Sequence, residues 1–326
     1  VGDWAVGGTY INDDKKIGDI KTKNNPSLDS SRWLGFIEHN GQYGQYWSTH
    51  INYQSVSDVE YFRDWGVTGL DVNQSANIKR SANLLFSSTN WRVNTEVVDY
   101  QRLELNASGN PLPEYYQLLP RTEFTYECLS QPFSLQPILS GQYSYFKHPT
   151  LAEAQRLYSQ VGVGFPMRWQ AFESQPELKV KSLAYWYGDK PSFANLQGQD
   201  YAHVATFSWN NQLHFERSFK SGRYQQTLSP RLFYYYAQDK QQPTFNNFDT
   251  SLRTFTYQQV FREERFNGHD IISDANQLSI GLEGQIFNQE NGGSPAAELE
   301  HFVIADAEFT TRARLDVNLD DAESKY

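Results

Sequence analysis

A chain of 326 residues is too long for a typical small domain and fits one large all-β unit, yet its apolar share of 39% is below the ~45–50% usual in globular proteins, while aromatic residues reach 15%. The formal charge of −10 argues against a nucleic-acid partner, because a phosphate backbone is gripped by clustered Lys and Arg. No apolar run approaches the ~20 residues of a membrane-spanning helix, so any passage through a membrane is by strands, and a wide barrel with a wet lumen fits a mean hydropathy of −0.67.

The chain opens inside strand-like sequence and reaches an acidic loop at Asn12-Asp13-Asp14. Such loops are read as solvated, in preference to holding a divalent cation between anionic groups. From Val72 to Phe86 the residues alternate: Val72, Ala76, Ile78, Ala82, Leu84 and Phe86 share one face, with Gln74 and Arg80 as exceptions, and polar residues fill the other. The stretch Asn90 to Ser140 offers only generic strands and loops, with Cys128 in the strand-like Phe124-Thr125-Tyr126-Glu127-Cys128-Leu129. Leu151 to Gln155 admits one helical turn, whereas Arg156 to Met167 reads as a strand. Arg231 to Gln238 is dense in the Tyr and Phe that suit a pleated surface.

A polar loop then leads to Gln277–Ile286, where Leu278, Ile280, Leu282 and Ile286 alternate with Gln277, Ser279, Glu283 and Gln285. Between Phe287 and Phe302 only a polar Gly-rich segment is expected. Val303 to Leu319 alternates again, as one long strand or two joined by a tight turn. Clusters such as Lys23-Asn24-Asn25-Pro26, Asn106–Pro111, His148-Pro149, Gly188–Pro191 and Asn291–Pro295 punctuate these runs as loops.

Motifs that carry chemistry mostly fail. The seven histidines are scattered without the short spacing of a zinc site. Asp316-Val317-Asn318-Leu319-Asp320 starts like a calcium loop, but Asp321 stands where the turn needs Gly. No nucleophile elbow or phosphate-cradling Gly-rich loop is present. Glu263-Glu264 lies between Arg262 and Arg265, so a charged loop is preferred to an acid–base pair. No catalytic, cofactor-binding or metal-binding residue is assigned.

The order Phe248-Asp249-Thr250-Ser251-Leu252, then Val260 to Leu282 (VFREERFNGHDIISDANQLSIGL), resembles the lipopolysaccharide-assembly proteins of the Gram-negative outer membrane, the LptD family. Asp29-Ser30-Ser31-Arg32-Trp33, Val56-Ser57-Asp58 with Tyr61-Phe62-Arg63-Asp64, and Phe215-Glu216-Arg217 leading into Tyr224–Arg231 resemble family segments in the family's order. The resemblance implies a large antiparallel transmembrane β-barrel and transport with no bond made or broken. It implies lipopolysaccharide as cargo, a periplasmic bridge that delivers it, a lipoprotein plug of the LptE type, and the barrel-assembly machinery during folding.

Residues 1–326 are accordingly expected to be a portion of the barrel, with the periplasmic N-terminal domain and the final strands outside the sequence. The family's disulfides join regions not seen here, so Cys128 is not assigned to them. The sequon at Asn106-Ala107-Ser108 is inert in a bacterial outer membrane. The face bearing Leu278, Ile280 and Leu282 and the even face of Val72–Phe86 are expected to meet lipid, and Phe261–Asp274 to form a structured loop serving assembly or plug contact. The alternatives are a secreted all-β carbohydrate-binding or carbohydrate-cleaving sandwich, with an apolar core in place of a lipid-facing wall, and a porin or outer-membrane enzyme.

Overall fold

The computed structural model describes residues 2–14, 31–58, 61–64, 77–103, 115–128, 135–188, 198–238, 246–254, 256–288, 294–305 and 310–314. They form an all-β fold: β1 (Gly2–Ile11), β2 (Arg32–Tyr43), β3 (Trp47–Val56), β4 (Asn77–Ser87), β5 (Trp91–Arg102), β6 (Gln117–Tyr126), β7 (Gln136–Lys147), β8 (Ala154–Gly164), β9 (Met167–Trp169), β10 (Phe172–Tyr187), β11 (Gln199–Leu213), β12 (Phe215–Phe219), β13 (Tyr224–Ala237), β14 (Ser251–Leu252), β15 (Phe266–Asn267), β16 (Ala275–Asn288), β17 (Ser294–Ala305) and β18 (Thr310–Arg314). All but β14 and β15, which pair with each other, belong to one sheet in which the long strands follow chain order. The only α-helix among the described residues is the single turn Tyr61–Asp64. The turn expected at Leu151–Gln155 is absent, since Ala154 already begins β8.

Residues Val1–Tyr126, Gly141–Leu157 and Tyr185–Gln199 make one compact unit. Its strands β1 to β6 form an antiparallel meander. Tight turns join β2 to β3 and β4 to β5 at one end, the first through Gly44, whose φ of +63° suits a residue without a Cβ. The register lines up Val6, Ile37 and Tyr53 on one face, with Tyr10 beside Trp33, and Tyr43, Trp47 and Phe86 side by side at the tight-turn end. These side chains are mostly exposed, Val6 at 71% and Ile37 at 40%. The opposite face is polar: Lys79 meets Glu96 at 3.2 Å, Asn83 meets Asn94 at 2.6 Å, and His50 meets Asn40 at 2.6 Å.

The alternation expected for Val72–Phe86 holds at Ala82, Leu84 and Phe86 but breaks at Ile78, and residues 72–76 lie outside those described. Ile78 is buried with Leu34, Val56, Tyr61 and Leu103 in a small apolar cluster. The cause lies in the pairing of β3 with β4, which runs only from Trp47–Phe86 to Asn52–Ser81. Beyond it, side chains take over the backbone groups: Arg80 Nε donates to the Gln54 carbonyl at 2.9 Å, while the Gln101 amide accepts from Val56 N at 3.0 Å and donates to Val56 O at 2.6 Å. The strand edge is thereby satisfied without a neighbouring strand.

Residues Glu127–Ser140, Tyr158–Ala184 and Asp200–Tyr326 make the second unit. Here β11, β13, β16, β17 and β18 pair antiparallel in succession, and the β13–β16 ladder is continuous from Tyr224–Asn288 to Ala237–Ala275. Side chains of β10 in this unit alternate between buried Lys179, Lys181 and Leu183 and outward Leu178 and Val180, exposed at 57% and 49%.

One expectation is corrected and one open choice is decided. The segment Phe287–Phe302 is not a bare Gly-rich loop, because β17 begins at Ser294 and pairs with β16. A Pro at the second position masked it, although an opening residue is where a strand tolerates Pro. The run from Val303 is two strands, β17 ending at Ala305 and β18 starting at Thr310 as its antiparallel neighbour; residues 315–319 lie outside those described, as do Asp316–Asp321.

Candidate functional site

The connection from β13 to β16 folds back onto the inner face of the second unit. Asp270, 1% exposed, knots it: one carboxylate oxygen accepts the backbone N–H groups of Phe248, Asp249 and Thr250 at 2.9, 2.9 and 3.1 Å. Thr250 Oγ1 in return accepts the Asp270 N–H at 2.9 Å, and Asn247 brackets Thr250 through both ends of its amide. Satisfying clustered backbone donors with one ionised acceptor gives an otherwise irregular segment a single conformation. The two-residue ribbon of β14 and β15 continues the knot.

From there a 3-10 turn, Gln258–Phe261, presents Val260 and Phe261 to the sheet. The Val260 carbonyl accepts from Ser279 Oγ at 3.0 Å and from Gln277 Nε2 at 3.2 Å, so both polar residues of β16 are buried beneath the loop while Ile280, next after Ser279, is 50% exposed on the far side. The Phe261 ring lies under the Arg231 guanidinium, 4.5 Å from its centre. Gly281 is the flat spot that admits this ring: a Cβ there would sit 2.8 Å from Tyr257 Oη and inside the Phe261 ring's own envelope.

Charge completes the attachment. Lys179 and Lys181 stand midway along β10 with side-chain exposures of 4% and 1%. Lys181 Nζ donates to Glu264 at 2.5 Å, to Glu263 at 3.1 Å and to the Tyr235 hydroxyl at 3.2 Å. Lys179 pairs with Glu263 and with Glu177, the latter at 2.5 Å. An unpaired buried ammonium costs several kcal/mol, so the lysines demand these carboxylates as much as the carboxylates demand them. Burial pushes the Glu263 carboxyl up, but the Lys181 and Lys179 ammonium groups outweigh it and hold the carboxyl below its ordinary range. Alongside, His269 stacks on Tyr158 with ring centres 4.0 Å apart.

The first unit contains a counterpart. Arg32, fully buried at the start of β2, donates to both Asp58 oxygens at 3.0 and 2.9 Å and to Asp14 at 3.0 Å, under the Tyr61 ring. Asp14, read from the sequence as a solvated loop carboxylate, is instead 9% exposed and clamped by a guanidinium. The Arg262-Glu263-Glu264-Arg265 run is corrected in the same way: its carboxylates go to Lys179 and Lys181, more than eighty positions upstream. Neither lysine was singled out from the sequence, although Lys179-Val180-Lys181 inside an alternating strand places both cations on one face. Among the described residues no group of three His, Cys, Asp or Glu side chains is placed to hold a metal. Cys128 is half-buried just beyond β6.

In both units, then, one sheet face exposes aliphatic and aromatic side chains and the other is polar and occupied by the chain's own loops. That is how a β-structured membrane wall is built, and the reverse of a soluble sandwich, which buries its apolar face. The chain belongs to the LptD family, described as LPS transport system D, whose family model matches residues 30–316. The LPS-assembly protein LptD of Hahella chejuensis is 28% identical over 313 residues, 89% of this chain and 37% of that protein. The protein of the same name from Acinetobacter baylyi is 29% identical over 308 residues, 89% and 35% of the two chains. That of Acinetobacter baumannii is 31% identical over 264 residues, 77% and 31%. The chain spans about a third of the length of these relatives.

Proposed function

We propose that this chain forms part of the barrel wall of the outer-membrane protein that passes lipopolysaccharide to the outer leaflet. The observation that carries the reading is the two-faced sheet: outward Val6, Ile37, Val180 and Ile280 suit acyl chains, while the polar face bearing Lys79, Asn83, Lys179 and Lys181 suits sugar and phosphate. A wall of that kind lets each half of an amphipathic glycolipid travel in the medium that favours it. The protein works by passage and has no catalytic role. A lipoprotein plug of the LptE type sits within the complete barrel, a periplasmic bridge delivers the cargo, and the barrel-assembly machinery folds the wall into the Gram-negative outer membrane. Residues 1–326 are one portion of that barrel domain.

The test is depletion of the full-length protein in cells. Lipopolysaccharide is expected to stay chemically unchanged but to accumulate on the periplasmic side, with the surface more permeable to hydrophobic antibiotics. Accumulation of lipopolysaccharide with altered acyl chains or sugars would overturn passage in favour of an enzyme.

A further inference from the structure

Among the described residues, the lysine pair on β10 draws two of its three counter-charges, Glu263 and Glu264, from a loop that can leave without disturbing the sheet, while the third, Glu177, belongs to β10 itself and stays. Lys179 and Lys181 are fixed in a long strand, whereas Glu263 and Glu264 arrive on a connection attached through Val260, Phe261 and these ion pairs. Glu264 keeps 32% of its side chain exposed, so solvent and solutes reach that edge of the cluster. Lysine suits exchange: its ammonium is a compact point charge that accepts any anion in reach, without the planar match that a guanidinium requires. Two ammonium groups on one strand face, with the Tyr235 hydroxyl beside them, match the several oxygens of a phosphate monoester, which carries about −1.5 to −2 charges at neutral pH.

We infer that Lys179 and Lys181 form a binding site for the phosphate groups of the transported glycolipid, held closed at rest by Glu263 and Glu264 of the β13–β16 loop. The inference rests on the passage reading above. The loop carboxylates stand in for the cargo's phosphates: they neutralise the pair while the lumen is empty and are displaced when a phosphorylated headgroup arrives. Exchange of one anion for another leaves the number of buried charges nearly unchanged, so opening the loop avoids the penalty of an uncompensated ammonium.

The experiment uses the full-length protein in living cells, with Gln175→p-benzoylphenylalanine, an uncharged position four residues from Lys179 on the same face, as a photo-cross-linking reporter, and Lys79→p-benzoylphenylalanine as a second reporter on the polar face of the first unit. Adducts to lipopolysaccharide are scored in each background, and in isolated membranes supplied with intact or dephosphorylated lipopolysaccharide, or with excess inorganic phosphate. Glu263→Gln with Glu264→Gln is expected to raise the adduct at position 175 several-fold. Lys179→Met with Lys181→Met abolishes it, Lys179→Arg with Lys181→Arg retains it, and dephosphorylated lipopolysaccharide gives none. The adduct at position 79 stays constant across all variants. If position 79 captures lipopolysaccharide while the adduct at 175 ignores these charges and the phosphates, the cluster is structural only and the inference is overturned with passage intact. Suppression by inorganic phosphate supports the site, whereas phosphate ion bound at the pair with no glycolipid adduct at 175 makes it a site for the free ion and overturns the inference. No adduct at either position rejects passage itself. The glutamine variants keep the test decisive should the methionine pair fail to assemble.

Discussion

Arg32 in the first unit and the Lys179–Lys181 pair in the second perform the same task with different chemistry: each is a strand-borne cation that ties a long connection to the polar face of the sheet. Arg32 grips Asp58 through two parallel hydrogen bonds and Asp14 through a third, all deeply buried beside the apolar cluster of Leu34, Val56 and Tyr61. Its planar fork fits those carboxylates and little else. The lysines hold three carboxylates by proximity alone, one of them partly exposed. The contrast separates a fixed clamp, in which geometry selects the partner, from an exchangeable latch, in which charge does.

The contrast breaks most easily at Arg32. Arg32→Leu leaves Asp14 and Asp58 buried without their cation and is expected to cost about 3–5 kcal/mol, read as a lowered urea midpoint of the refolded protein. Arg32→Lys should recover less than half of that, because the fork is lost, while Lys181→Arg should be tolerated; equal tolerance at both places would erase the distinction. Next, Lys181→Met should cost about 1.5–3 kcal/mol and open residues 256–274 to protease, a smaller loss because Lys179 still holds Glu263 and the Glu264 contact is partly solvent-screened. Gly281→Ala pushes a methyl group into the Tyr257 and Phe261 rings and should cost ~1 kcal/mol, the low end for overpacking because an aromatic side chain can shift. It should loosen the loop without touching the first unit, and an unchanged protease pattern would argue against the docking of Phe261.

The smallest effect is that of acid. The Glu263 carboxyl titrates below its ordinary range in the folded protein, so its contribution is complete above the unfolded value of about 4.3 and is lost as pH falls through the folded one. Protection of the loop from an acid-active protease should therefore hold from neutral pH down to about 5 and weaken below about 4. Glu263→Gln should remove that step. A loop that loosened between pH 7 and 6 would contradict Glu263 as the controlling group.

Alternation made the strands legible. The two-residue period of Gln277–Ile286 places Ser279 inward and Ile280 outward, as found, because a strand with one wet and one apolar face cannot slip by one residue without inverting both. The structured loop before it was legible from the resemblance of its residues, whose physical counterpart is the Asp270 knot. What stayed hidden were pairings far apart in the chain. Nothing local in Glu263-Glu264 points to Lys179 and Lys181, and the adjacent Arg262 and Arg265 suggest the wrong partners. Asp14 looked solvated because its clamp, Arg32, lies across a connection. Ile78 defied its own alternation because β3 and β4 part beyond Asn52–Ser81 and the side chains of Arg80 and Gln101 fill the breach. Such a departure depends on two neighbouring strands and is invisible in either one.

The central claim is that the apolar face meets lipid and the polar face meets water. Nitroxide labels at Ile37, Val180 and Ile280 on the apolar face and at Lys79 on the polar face, in a Cys128→Ser background reconstituted in bilayers, test it directly. The account predicts that molecular oxygen relaxes the first three labels more strongly than a water-soluble nickel chelate does, with the order reversed at Lys79. Chelate-accessible labels at Ile37, Val180 and Ile280 beside an oxygen-dominated label at Lys79 would contradict it.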